Sequence, residues 1–215
     1  MTSNHSLRAV IFDYGRVLSL PPSDADWAAF AAATDLPLDT LHLRYWEHRD
    51  AYDRKEVSAA EYWEQVTGDD VEGDKLIELI ALDDAQWTKV NHEMLRRARG
   101  LKGAGVKIAI LSNMQTDMLR VMRAKFDWLD EFDVQMYSCE VGLVKPDHEV
   151  YLQCLRRLDV APAQALFLDD KEKNIIGARD VGIHTLLFDG EIAAFDRKLT
   201  ELGVELESRS LKSEV

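Results

Sequence analysis

The sequence predicts an α/β fold, a doubly wound parallel sheet with a helical domain inserted after the first strand. Two observations carry this: short apolar runs alternate with helix-length amphipathic segments, and one acidic, tryptophan-rich stretch interrupts that alternation early in the chain. The runs are Ala9–Phe12, Lys107–Leu111, Val134–Tyr137, Ala165–Leu168 and Thr185–Phe188. Each is short enough for a strand, and those rich in Val, Ile and Leu read as covered on both faces. Met118–Phe126, Glu149–Leu158 and Asn174–Val181 have the length and period of the helices that cross between parallel strands. The interruption runs from Leu20 to Leu95. It carries 18 acidic and 6 basic residues (net −12), leaving 21 and 20 (net −1) for the rest, and it holds every tryptophan except Trp128. Asp24 is expected to cap a stripe of Trp27, Phe30 and Ala31. Ser58-Ala-Ala-Glu61 has the form of a capping box ahead of Tyr62 and Trp63, and helical period continues through Lys75–Leu82 and Trp87–Leu95. The expected organisation is therefore a core of residues 1–19 and 96–215 with a helical insert of residues 20–95.

Composition excludes several classes of function. The chain has 215 residues, with 26 Lys and Arg against 39 Asp and Glu for a net charge of −13, so nucleic acid and anionic membranes are not expected partners. Its apolar stretches reach about seven residues, against the roughly 20 that a membrane span needs, and residues 1–8 contain no apolar segment of a secretory leader. A cytoplasmic location is expected. Cys139 and Cys154 form no disulfide framework or zinc pattern and read as small buried residues. The polar tail with Ser208, Ser210 and Ser213 reads as frayed.

In a doubly wound sheet, ligands sit beyond the carboxyl ends of the strands, so the residues following each apolar run are the informative ones. After the first run comes Asp13, in Phe-Asp-Tyr-Gly-Arg-Val-Leu; after the second, Ser112-Asn113; after the fourth, Asp169-Asp170. Lys145-Pro-Asp lies between the last two. Taken singly, Asp13, Ser112 and Asp169-Asp170 suit helix starts, and Lys145 suits a solvated loop. Together they place three carboxylates, a hydroxyl and an ammonium on one rim. Clustered carboxylates repel unless a hard cation neutralises them, and Mg²⁺ accepts one or two carboxylates together with substrate phosphate oxygens. With a phosphoryl group held there, Asp13 can attack phosphorus in line, while Ser112 and Lys145 meet the equatorial oxygens. Gly15 is expected to let the chain turn sharply and aim a carbonyl at the metal.

Phe-Asp13-Tyr-Gly-Arg-Val-Leu, Leu-Ser112-Asn113, Val-Lys145-Pro-Asp and Phe-Leu-Asp169-Asp170-Lys-Glu-Lys-Asn174-Ile-Ile-Gly177-Ala178 resemble, in order, the four motifs of the haloacid dehalogenase (HAD) superfamily over roughly residues 8 to 190. The resemblance implies a Rossmann-like core with a C1 helical cap. It implies that Asp13 is nucleophile and metal ligand, that the Gly15 carbonyl and Asp170 complete the protein's Mg²⁺ ligands, and that Asp169 acts from the outer shell through water. Ser112, Asn113 and Lys145 would bind phosphate, with Asn113 and Asn174 also supporting the site. The implied activity is a Mg²⁺-dependent phosphatase for small phosphorylated metabolites; alternatives are a 2-haloacid dehalogenase and a degenerate domain that binds without turnover. In one respect the chain departs from the pattern. The family's phosphatases usually place an acid two residues after the nucleophile, and here that residue is Gly15. Members with glycine at this position include sugar-phosphate phosphatases, which makes α-D-glucose 1-phosphate, whose leaving group is unusually acidic, the specific expectation. Trp46, His48, Tyr52 and Trp63 are candidates for a sugar-stacking floor but are more often core at helical spacing, and His42, His92, His148 and His184 fit no ligand pattern.

Overall fold

The structure, a computed structural model, describes residues 7–206. Five strands, β1 (Ala9–Phe12), β2 (Lys107–Ser112), β3 (Val134–Tyr137), β4 (Ala165–Asp169) and β5 (His184–Leu187), form a parallel sheet in the order β3-β2-β1-β4-β5. The helices are α1 (Asp24–Thr34), α2 (Leu38–Asp53), α3 (Ala59–Thr67), α4 (Gly73–Trp87), α5 (His92–Gly103), α6 (Thr116–Lys125), α7 (Ser138–Val141), α8 (His148–Leu158), α9 (Glu172–Asp180) and α10 (Ile192–Glu201). None of these helices is long and apolar enough to cross a membrane.

The central strands β1, β2 and β4 read as continuous apolar runs because both faces are covered, and alternate residues serve opposite faces. Val10, Phe12, Ile108, Ile110, Leu166 and Leu168 pack with side chains of α5, α6 and α10. Ile11, Ala109, Leu111 and Phe167 pack with those of α8 and α9. Register then fixes the rim. Phe12 pairs with Ile110 on one side and Leu168 on the other, so the next residue, Asp13, emerges beside Asp169 in the centre of the sheet.

A third apolar cluster is built from α1 to α4 alone, around Phe30, Tyr45, Tyr62, Trp63 and Leu79. Ser58 and Glu61 form the expected capping box on α3. On α1 the cap is Ser23 rather than Asp24: its hydroxyl accepts from the Asp26 amide and Asp26 reciprocates, which leaves Asp24 as the first helical residue. The helical run expected from Trp87 to Leu95 is broken at 88–91, where Asn91 caps α5 through the Met94 amide at 3.1 Å. Met94 and Leu95 pack on the sheet rather than on the insert. The two connections lie side by side: Ser19 bridges Val90 antiparallel, the Leu20 amide donates to Lys89 O at 2.6 Å, and the Asn91 amide donates to Leu18 O at 2.8 Å. We therefore propose that the insert leaves the core at 88–91, a few residues before the expected boundary. Cys154 is buried as expected, whereas Cys139 is only half-buried. The serine tail lies outside the described residues.

The insert also holds an acid in an unfavourable setting. Asp84 is buried on α4, and its Oδ1 has no donor among the described residues. Burial first, then Asp83 and Asp117, push its carboxyl up to about 7. The folded chain therefore holds this proton more tightly than the unfolded chain does, so the group's effect on stability turns increasingly unfavourable as pH rises from the ordinary aspartate range to about 7. Asp84→Asn is expected to stabilise the protein by about 1–3 kcal/mol near pH 8 and by clearly less near pH 5. Denaturant unfolding at the two pH values measures this, and equal gains at both would contradict it.

Candidate active site

Asp13 stands one residue past β1, its Oδ1 accepting from the Tyr14 amide at 2.7 Å and meeting the Lys145 ammonium at 2.8 Å. Its other oxygen, Oδ2, has no partner among the described residues, and Asp13 lines the cleft. The chain then turns sharply through Tyr14–Leu18, closed by the Ser19 amide on Tyr14 O at 2.8 Å. Gly15 has φ −61° and ψ 125°, angles open to any residue, and it is Arg16 that takes the left-handed conformation at φ 60°. The expectation that glycine is needed for the turn is thus corrected. A Cβ at Gly15 would make ordinary van der Waals contact with the Trp87 ring at 3.6 Å.

Lys145 is the hub. It is 2% exposed, and its Nζ lies 2.8 Å from Asp13 and 2.6 Å from Asp169. Burial alone pulls an ammonium toward the neutral form, but Asp13 and Asp169 outweigh it and hold Lys145 raised and charged. Its backbone is clamped by Asn113, whose Nδ2 donates to Lys145 O and whose Oδ1 accepts from Lys145 N, both at 2.9 Å. That doublet seats Lys145, and Asn113 also lines the cleft. Asp169 is fully buried, its two oxygens taken by Lys145, the Lys171 amide at 2.8 Å and Asn174 Nδ2 at 3.0 Å. These donors fix the Asp169 carboxylate beside Lys145. Ser112 ends β2 and is nearly buried; its Oγ makes one long contact of 3.4 Å to Asn113 O and borders the cleft beside Lys145.

Carboxylate oxygens of Asp13, Asp169 and Asp170 lie within 4.8 Å of one another. Burial first, opposed by Lys145 but reinforced by Asp169 and Asp170, pushes Asp13 up to about 7, and burial with Asp169 raises Asp170. Three acids around one ammonium leave unbalanced negative charge, which a hard divalent cation would offset. The donor set fits Mg²⁺ at Asp13 and Asp170, the two acids whose oxygens are not exhausted by the protein. Asp170 meets Arg16 at 3.3 Å on one oxygen only.

The insert closes over this rim, leaving a cleft between them. Trp46, Arg49 and Asp53 reach it from α2 and Trp87 from the end of α4. Trp46 remains 38% exposed and is the member of the candidate stacking floor that lines the cleft, while Tyr52 and Trp63 are core. Arg49 and Asp53 did not stand out in the sequence. Their spacing with Trp46, at 46, 49 and 53, places all three on one helix face and was the available signal. Arg49 ties insert to core: its Nη2 donates to Gln115 Oε1 at 2.8 Å, Nη1 to Asp83 at 2.8 Å and to the Tyr45 hydroxyl at 2.7 Å.

The chain is similar to known proteins in both sequence and fold. Residues 3–182 match the family described as hydrolase, haloacid dehalogenase-like hydrolase. A ribulose-1,5-bisphosphate 5-phosphatase of Halopiger xanaduensis is 32% identical over 206 residues, covering 84% of each chain. Bifunctional epoxide hydrolase 2 of Sus scrofa is 30% identical over 201 residues, covering 85% of this chain, which spans only 36% of that longer protein. A HAD family enzyme of Bacteroides thetaiotaomicron shares the fold with a TM-score of 0.67 at 17% identity, over 86% of this chain and 96% of that one.

One glycine pins the Lys145 loop. A Cβ at Gly177, on α9, would stand 2.5 Å from Pro146 O and 3.0 Å from Pro146 Cβ. Gly177→Ala is expected to cost about 1–3 kcal/mol by forcing helix and loop apart. Gly103→Ala, at a helical position with nothing within 4 Å, should be neutral or stabilising. Chemical denaturation of the pair checks this, and equal stability of the two variants would show that the loop yields freely.

Proposed function

Because the chain belongs to the haloacid dehalogenase-like hydrolase family, we propose that it is a Mg²⁺-dependent phosphomonoesterase of small phosphorylated metabolites, sugar phosphates in particular, with α-D-glucose 1-phosphate as the specific substrate. The observation that carries this reading is the Lys145 ammonium seated between Asp13 and Asp169, with Asp13 lining the cleft and its Oδ2 without a partner among the described residues. A carboxylate so held presents one oxygen for attack and cannot rotate away. Its partner oxygen is fixed by the Tyr14 amide and Lys145.

In this reading the substrate's phosphoryl group enters between Asp13, Ser112 and Lys145. Asp13 Oδ2 attacks phosphorus, the ester oxygen leaves in line, and an aspartyl phosphate forms that water then hydrolyses. Ser112 Oγ and Lys145 Nζ donate to the equatorial oxygens as their charge develops. Mg²⁺, held by Asp13, the Gly15 carbonyl and Asp170, would supply charge neutralisation at the phosphoryl oxygens and favour the ionised form of Asp13. Asn113, Asn174 and Asp169 act one step back, fixing where Lys145 sits. Trp46 at the mouth offers a ring to the sugar. The similarity to a phosphatase acting on a phosphorylated sugar supports the substrate class.

Two outcomes test the proposal. Asp13→Asn is expected to abolish phosphate release while the fold stays cooperative, and activity within about tenfold of the parent would refute attack by this carboxylate. In a phosphate-release screen of phosphorylated metabolites with and without a chelator, activity should require Mg²⁺, and glucose 1-phosphate should be cleaved faster than glucose 6-phosphate; a reversed order would end the anomeric preference.

A further inference from the structure

Cleaving an ordinary phosphate ester leaves an alkoxide that needs a proton, and hydrolysing the aspartyl phosphate requires a water that gives one up. The turn after β1 offers no carboxyl for this: Gly15 has no side chain, and the Tyr14 hydroxyl donates to Trp87 O at 2.7 Å. Three carboxylates line the cleft: Asp13, Asp53 and Asp170. Asp13 is the attacking group and Asp170 faces it across the cation site, while Asp169 is off the lining with both oxygens spent on protein donors. The remaining acid is Asp53.

Its setting suits the task. Asp53 ends α2 and is buried; its Oδ1 accepts from Arg49 Nε at 3.1 Å, and its Oδ2 has no partner among the described residues. Its carbonyl accepts from Ser138 Oγ at 2.6 Å, and that same oxygen accepts from the Met114 amide at 2.9 Å, two residues past Ser112. An acid carried by the insert is thereby fixed to the loop that holds the phosphate-binding hydroxyl. The charged and titratable groups around it are Arg49, Asp83 and Tyr62 from the insert and Lys171 and Cys139 from the core. Arg49 is shared with Asp83, so burial outweighs it and brings Asp53 up to about 6, where both protonation states are accessible near neutrality.

We propose that Asp53 is the general acid and base of this site. In the first step Asp13 Oδ2 bonds to phosphorus, the bond from phosphorus to the ester oxygen breaks, and the Asp53 proton passes to that oxygen, releasing the alcohol. In the second step the Asp53 carboxylate takes a proton from water, the water oxygen bonds to phosphorus, and the bond from phosphorus to Asp13 breaks. Phosphate leaves and both acids return to their starting states. This assignment rests on the phosphatase reading above and deepens it.

The test compares parent and Asp53→Asn, with Mg²⁺ present, on glucose 6-phosphate, glucose 1-phosphate and p-nitrophenyl phosphate, whose leaving groups need the proton to decreasing degrees. Asp53→Asn is expected to lose about 10²–10⁴ in kcat/KM on glucose 6-phosphate, less on glucose 1-phosphate, and no more than about threefold on the nitrophenyl ester. Its kcat on that ester should still fall, with a burst of one nitrophenolate per chain, because the phosphorylated Asp13 is no longer hydrolysed quickly. Equal losses on all three esters, or kcat/KM within about tenfold of the parent on glucose 6-phosphate, would overturn the assignment. A leaving-group series on the parent enzyme guards against a variant that fails to fold: a shallow dependence on leaving-group acidity supports an acid in the site, and a steep one rejects it. A parent chain that releases no phosphate from any ester would instead overturn the phosphatase reading itself.

Discussion

The buried ammonium of Lys145 between Asp13 and Asp169 is the constraint on which the rest of the site depends. An ion pair in such surroundings is not a source of stability in itself, since desolvating the charges costs about as much as their attraction returns. Its value is positional. Removing the ammonium would leave two carboxylates facing each other out of water, a change that typically costs about 3–5 kcal/mol, so the sheet, the Lys145 loop and α9 are committed to one arrangement. The supporting contacts follow from this. Asn113 holds the lysine backbone, Asn174 and the Lys171 amide hold Asp169, and the Tyr151 hydroxyl donates to Asn174 O at 2.8 Å.

A second polar network joins the insert to the core around Arg49, whose guanidinium reaches Asp53, Asp83, the Tyr45 hydroxyl and Gln115. Gln115 completes a ring by donating to Asp83 at 3.0 Å. Such a network is favourable only when its members are all paired, and this one places the cleft face of α2 at a fixed height over Ser112. The same contacts that order the insert therefore set which of its side chains meet a ligand.

Much of this was legible in the sequence. The strand runs stand where they were expected to within a residue or so, because buried parallel strands need apolar side chains on both faces and little else in the chain satisfies that demand. Asp13, Ser112, Lys145 and Asp170 were legible because the rim of such a sheet is where chemistry is exposed. The rest depended on information that a linear pattern does not hold. Asn113 has the composition of a ligand-binding residue, and only the approach of the Lys145 loop shows its amide bonded to backbone. Gly15 read as a turn residue, yet the strained angle falls on Arg16. Arg49 and Asp53, four residues apart, carried no sequence signal that the fold would bury them as a pair beside the cleft. The break at 88–91 was hidden because Trp87 and Leu95 keep a helical period across it and both are buried in the cluster under the sheet.

The antiparallel bridge between Ser19 and Val90 has an architectural consequence. From the standpoint of the sheet, some seventy intervening residues enter and depart through a single doorway, as though they were one tight hairpin. Chain closure across so narrow a gap is insensitive to what lies beyond it, because the entropy of a loop grows only slowly with its length. The roof of the cleft thus joins the foundation at one narrow place in the chain, and a change in its length adds little to the entropy of closing that gap.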